Sequence, residues 1–158
     1  MERVVVLGPG GAGKSTFARS LGERTGIPWV ELDADFWSAD LEPTPPADWV
    51  RRQEELCAPR RWILDGDLGP YDVLDVRLRH ADAVVLLDLP TWRCAWRAAR
   101  RSRPRLDFWR WLLTWRRRYR PRLRRSIAQH APNARLLVAR RPADVADLLA
   151  QWGLPAQR

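Results

Sequence analysis

The sequence predicts a doubly wound α/β fold, and three features of the chain predict it. Short continuous apolar runs recur along its length, helix-type patterns fill the gaps between them, and a glycine-rich turn joins the first run to the first helix. Continuous apolar runs mark strands buried on both faces, as in a parallel sheet joined by helical crossovers. With 158 residues, 46% of them hydrophobic, the chain suffices for one domain that buries roughly 70% of its unfolded surface.

The first strand is expected at Val4–Leu7. Gly8-Pro9-Gly10-Gly11-Ala12-Gly13-Lys14-Ser15 follows, and the first helix is expected over Lys14–Arg24 until Gly26-Ile27-Pro28 stops it. A second strand is read at Trp29–Leu32. The proline-rich stretch Glu42–Pro46 is a stiff loop that opens a helix over Ala47–Cys57. Trp62–Leu64 and Ala83–Leu87 read as strands three and four, with a helix over Tyr71–Arg79 between them. Helices over Trp92–Arg101 and Leu106–Ala128 precede a fifth strand at Arg135–Ala139 and a last helix over Ala143–Gln151. In the long helix Phe108, Leu112, Trp115, Tyr119, Leu123 and Ile127 recur at steps of three or four, an apolar stripe expected to face the body. Pro121 is expected to kink or break that helix near Arg120.

Gly8 to Ser15 fits G-x-x-x-x-G-K-[ST] in the strand–loop–helix context that the motif requires. Glycines let consecutive backbone N–H groups converge on a phosphate, and the helix N-terminus adds partial positive charge. Gly8, Pro9, Gly10, Gly11, Ala12, Gly13, Lys14, Ser15 and Thr16 are therefore the expected nucleoside triphosphate site. Lys14 would bridge the β- and γ-phosphates and Ser15 would supply a Mg²⁺ ligand. Lys14 is the only lysine among 28 basic residues, so a chain that otherwise avoids lysine keeps one here.

In an open α/β sheet, ligands sit at the carboxyl ends of the strands, so the acids found there are the next candidates. Asp65, ending Trp62-Ile63-Leu64-Asp65, is expected to hold Mg²⁺ through water. Asp33, after the second strand, is expected to orient or deprotonate an incoming hydroxyl. Asp35, Asp67 and Asp88 read instead as turn or helix-cap residues. Other P-loop classes are excluded. No Asn-Lys-x-Asp guanine motif and no Leu-Ser-Gly-Gly signature occurs, and the chain is too short for an added helical ATPase domain. A small phosphotransferase remains.

The net charge of +9 is unevenly spread. Fourteen arginines and one acid, Asp107, fall between Arg93 and Arg125, so this segment carries +13 and the rest of the chain −4. A compositional preference for arginine with a solvated helix face accounts for much of this. Arginines interleaved with Trp109 and Trp111 also suit single-stranded nucleic acid, and the same face suits an anionic membrane surface. No run reaches the roughly 20 apolar residues that span a bilayer, and no secretory leader is visible, so the cytoplasm is the expected compartment. Cys57 and Cys94 form no metal-ligand spacing and read as buried fillers.

Taken together, the P-loop, Leu32-Asp33, Trp62-Ile63-Leu64-Asp65-Gly66 and Leu87-Asp88-Leu89-Pro90 resemble the adenylate kinase-like small-molecule kinases. More narrowly, Leu32-Asp33-Ala34-x-Phe36-Trp37, the Asp65-Gly66-Asp67 turn, Leu87-Asp88-Leu89-Pro90-x-Trp92 and the run ending Arg120-Pro121 resemble the bacterial DNA topology modulation proteins. The resemblance covers nearly the whole chain as one domain. It implies a five-stranded parallel sheet of order 2-3-1-4-5 flanked by helices, ATP with Mg²⁺, and a lid that lowers arginines onto the phosphates. It aligns Arg97 with an arginine that stacks on adenine, Arg101 with a lid arginine offered to the transferring phosphoryl group, and Arg140 with a loop passing the adenine. The acceptor-side segment, about residues 33–60, is shorter than a nucleoside monophosphate subdomain, and the lid is cut to about Arg101–Arg105. ATP-dependent phosphoryl transfer to a small acceptor is the expected activity. The alternative is an ATP-binding regulator that contacts nucleic acid through Arg93–Arg125.

Overall fold

The structure, a computed structural model, describes residues 1–37, 42–101 and 106–152, with the backbone alone for Pro70, Arg101 and Asp107. Five parallel strands form one sheet: β1 (Arg3–Leu7), β2 (Trp29–Glu31), β3 (Trp62–Asp65), β4 (Ala83–Leu87) and β5 (Arg135–Ala139), in the order β2-β3-β1-β4-β5. This is the order that the sequence resemblance implies. The P-loop strand β1 is central, with Val4, Val5, Val6 and Leu7 wholly buried. Its residues alternate between two cores. Val4 and Val6 pack with Phe17 and Leu21 of α1 (Lys14–Thr25) and Leu148 of α7 (Pro142–Trp152). Val5 and Leu7 pack with Trp49 of α3 (Pro46–Cys57) and Leu78 of α4 (Leu74–His80), and with Trp115 and Leu123 of α6 (Leu106–His130).

Three elements differ from the sequence reading. β2 ends at Glu31, and Leu32–Phe36 winds into a short helix, α2, that carries Asp33 and buries Leu32 and Phe36. Gly69–Tyr71 forms a 3-10 turn, so α4 starts at Leu74 rather than Tyr71. The delay has a cause in side-chain bonding: Asp72 is drawn inward to Arg77 and also accepts the Leu68 N–H. Pro121 does not break α6, which runs on to His130. The proline removes one bond to the carbonyl of Arg117 on a solvent-facing turn, while Trp115, Leu123 and Ile127 anchor the helix on both sides of it.

The stripe on α6 faces the body as expected: Leu112, Trp115, Leu123 and Ile127 are buried, with Phe108 and Tyr119 half-buried. Leu112 belongs to the core on the α1 face and Trp115 to the opposite core. The amino-terminal half of α6 thus crosses from one face of the sheet to the other. Asp88, just after β4 and 1% exposed, ties this helix down through Arg120 Nε at 3.1 Å and Arg116 Nη2 at 3.4 Å. Among the described residues, no helix is long and apolar enough to cross a membrane.

Candidate active site

Gly13 caps the start of α1 in the left-handed region, at φ 91°, a conformation costly for residues with a Cβ. Gly11, at φ 77°, presses against the Cys94 carbonyl of α5 (Thr91–Arg101), where no Cβ would fit. The loop therefore turns over the carboxyl end of β1 and delivers Lys14, Ser15 and Thr16 into the first turn of α1. Arg97, also on α5, brings a guanidinium nitrogen within 3.2 Å of where a Gly13 Cβ would stand. It lies beside the end of the loop that leads into the helix.

Parallel pairing places Val6 opposite Asp65 and Asp65 opposite Glu31, so two acids lie side by side at the ends of β3 and β2, Asp65 on the strand next to the P-loop strand. Ser15 Oγ donates to Glu31 Oε1 at 3.0 Å. Asp65 is 1% exposed, and neither of its carboxylate oxygens has a hydrogen-bond partner. Burial pushes its pKa up to about 6, against the pull of Lys14 and the nearby Ser15 hydroxyl. Ser15 is close enough to favour the charge on Asp65, but its proton is directed to Glu31. A buried, unpartnered carboxylate is costly unless something positive completes its surroundings. Among the described residues no three acids, histidines or cysteines cluster to hold a metal.

Asp33 retains solvent contact on α2, yet the protein around it raises its pKa by desolvation, opposed by Lys14 and reinforced by Glu31, Asp67 and Asp72. Asp67 is raised for the same first reason and accepts the Gly69 N–H at 3.1 Å. It is therefore a turn residue, as expected, and also one of the acids within the field of Lys14. Asp35 pairs with Arg52 at 2.9 Å, outside this group. Beneath the Asp65-Gly66-Asp67 turn lies Arg77, fully buried, gripping Asp72 with both Nη atoms at 2.7 and 2.6 Å and donating to Gly66 O at 3.0 Å and Gln53 Oε1 at 2.9 Å.

Three expectations are placed differently or lie beyond view. The side chain of Arg101 and residues 102–105 of the lid lie outside the described residues. Arg140 follows β5 at the expected end of the sheet, but its backbone N–H is taken by Asp144 at 2.9 Å, as is that of Arg141. Trp109 and Trp111 do not stand outward for base stacking; both are half-buried and packed on the core, because α6 lies flat enough to bury more than one stripe. The most exposed tryptophans among the described residues are Trp92 and Trp96 on α5, stacked by Arg93 and Arg100. A cavity of about 460 Å³ opens at the opposite, amino end of the strands. Its charges pair among themselves, Arg3 with Asp82 and Arg60 with Glu2, far from the P-loop chemistry.

No family model matches the chain, and no curated protein matches it in sequence. Solved structures do. A shikimate kinase from Acinetobacter baumannii in complex with shikimate superposes with a TM-score of 0.67 at 20% identity, covering 96% of this chain and 90% of that one. The chain has the fold of the P-loop kinases. A sugar kinase from Janibacter sp. HTCC2649 gives 0.59 at 21% identity, covering 96% and 94%. A deoxyadenosine kinase from M. mycoides, with dCMP and dCDP bound, gives 0.56 at 13% identity, covering 94% of each chain. At these identities the likeness is one of fold.

Proposed function

We propose that the protein is an ATP-dependent kinase that transfers the γ-phosphoryl group to a hydroxyl of a small acceptor. The observation that carries this reading is Asp65, a buried carboxylate without a partner, set beside Ser15 and within the field of Lys14. Gly8 to Thr16 would cradle the phosphates, and Ser15 and Asp65 would hold Mg²⁺, which neutralises phosphate charge when bound. Lys14 draws charge off the phosphate oxygens. Asp33, whose raised pKa makes it a stronger base than an ordinary aspartate, takes the acceptor's proton as the acceptor oxygen bonds to phosphorus. The bond to the bridging oxygen breaks and ADP leaves. Arg97 sits by Gly13 to neutralise or stack on the nucleotide, and Arg101 extends the same helix toward the lid.

The test is ADP release from MgATP across nucleosides, nucleotides, sugars and polyols, in wild type and Lys14→Ala. Stimulation by one acceptor, lost in the variant, is the expected result. A second reading, an ATP-binding regulator on nucleic acid, draws on the exposed arginines of α6: Arg110, Arg117, Arg118, Arg122, Arg124 and Arg125. Arg116 and Arg120 are partly committed to Asp88. ATP binding without acceptor stimulation, together with a DNA shift that weakens as salt rises, would favour that reading over the kinase.

A further inference from the structure

We propose that Phe108 and Trp111 of α6 roof the gap between the P-loop and the acceptor side and keep water from the terminal phosphate of ATP. This rests on the kinase reading above. A Cβ built on Gly10 would meet Phe108 Cε2 at 2.5 Å, Phe108 Cζ at 2.8 Å and Trp111 Cζ3 at 3.2 Å, so the two rings lie directly against the P-loop. The indole Nε1 of Trp111 lies 3.6 Å from where a Gly69 Cβ would stand. Gly69 belongs to the turn that carries Asp67. One pair of rings, 5.9 Å apart at their centroids, thus touches both the donor loop and the turn that follows Asp65.

The roof is held from behind. Leu112 and Trp115, each 1% exposed, seat the next turn of α6 in the two cores, and Arg120 anchors the helix to Asp88. Neither ring carries an atom that accepts a proton, so nothing in the roof activates water. Its single polar group, Trp111 Nε1, is buried without a partner and can only donate. An oxygen of the transferring phosphoryl group or of the acceptor would satisfy it. Excluding water matters because water competes with the acceptor: its oxygen would bond to the γ-phosphorus, the bridging bond would break, and ADP, phosphate and a proton would result.

The experiment measures ADP formation from MgATP with no acceptor present, alongside ATP affinity by calorimetry. Phe108→Ala, Phe108→Leu, Trp111→Leu and, as a control, the exposed Leu113→Ala are compared with wild type. The expected result is acceptor-free hydrolysis raised by about threefold or more in the three roof variants, with ATP affinity within about threefold and the control unchanged. Phe108→Leu keeps an apolar side chain in place, so the comparison survives if the alanine variant does not fold. Hydrolysis at or below the wild-type rate in Phe108→Leu and Trp111→Leu, with ATP still bound, would overturn the roof alone. Absence of Lys14-dependent ATP binding in wild type would overturn the kinase reading beneath it.

Discussion

Asp65 sits in an environment that resists its own charge. Its pKa is raised to about 6, so between pH 3.8 and about 6 the folded protein holds a proton that the unfolded chain has released. Stability of the ligand-free protein therefore falls as pH rises through that window and stays lowered above it. Asp65→Asn removes the charge, and the variant is expected to be more stable than wild type at pH 7.5 by on the order of 2 kcal/mol. That gain should vanish below about pH 4. Urea unfolding at the two pH values checks this, and equal stability at both would contradict it. The P-loop residues are legible because phosphate chemistry restricts both residue type and spacing. Glu31 is not, because the apolar Leu32 that follows extends the strand-like run and places Glu31 inside it. The signal was nevertheless there: Trp29-Val30-Glu31 ends in an acid as Ile63-Leu64-Asp65 does, and the two acids pair in register. Arg77 was invisible for a different reason, since one buried arginine is spelled like the solvated ones, and only packing reveals that Asp72 and Gly66 enclose it.

α6 is the element whose reading changes most. Its periodic stripe was legible, and Trp115 fills the core as the spacing predicted. Trp115→Ala is expected to cost about 3–5 kcal/mol, as for other buried aromatic truncations. Leu113→Ala, on the exposed side of the same helix, should change stability by no more than about 0.5 kcal/mol. Chemical denaturation of the two variants measures the contrast, and similar losses in both would mean that the helix packs on another face. The sequence could not indicate that Phe108 and Trp111 reach the P-loop, because periodicity assigns a residue to a face without saying what lies opposite. Propensity likewise overstates Pro121, whose missing bond is outweighed by packing on either side.

For the whole molecule, strand type and number followed from the apolar runs, whereas the order β2-β3-β1-β4-β5 came only through resemblance, since parallel strands joined by crossovers permit several orders. The basic total divides into distinct duties. Arg77 supports the Asp65-Gly66-Asp67 turn, Arg116 and Arg120 hold α6, Arg97 borders the P-loop, and the outer arginines of α6 face solvent. At this scale the proposed kinase reduces to one requirement, that the carboxyl end of the sheet, built on Lys14, Ser15 and Asp65, bind MgATP. Its most direct test is calorimetric titration of MgATP into wild type, Lys14→Ala and Asp65→Asn. Saturable binding in wild type, abolished in Lys14→Ala and stripped of its Mg²⁺ dependence in Asp65→Asn, is the predicted result; equal affinity for MgATP in wild type and Lys14→Ala would contradict it.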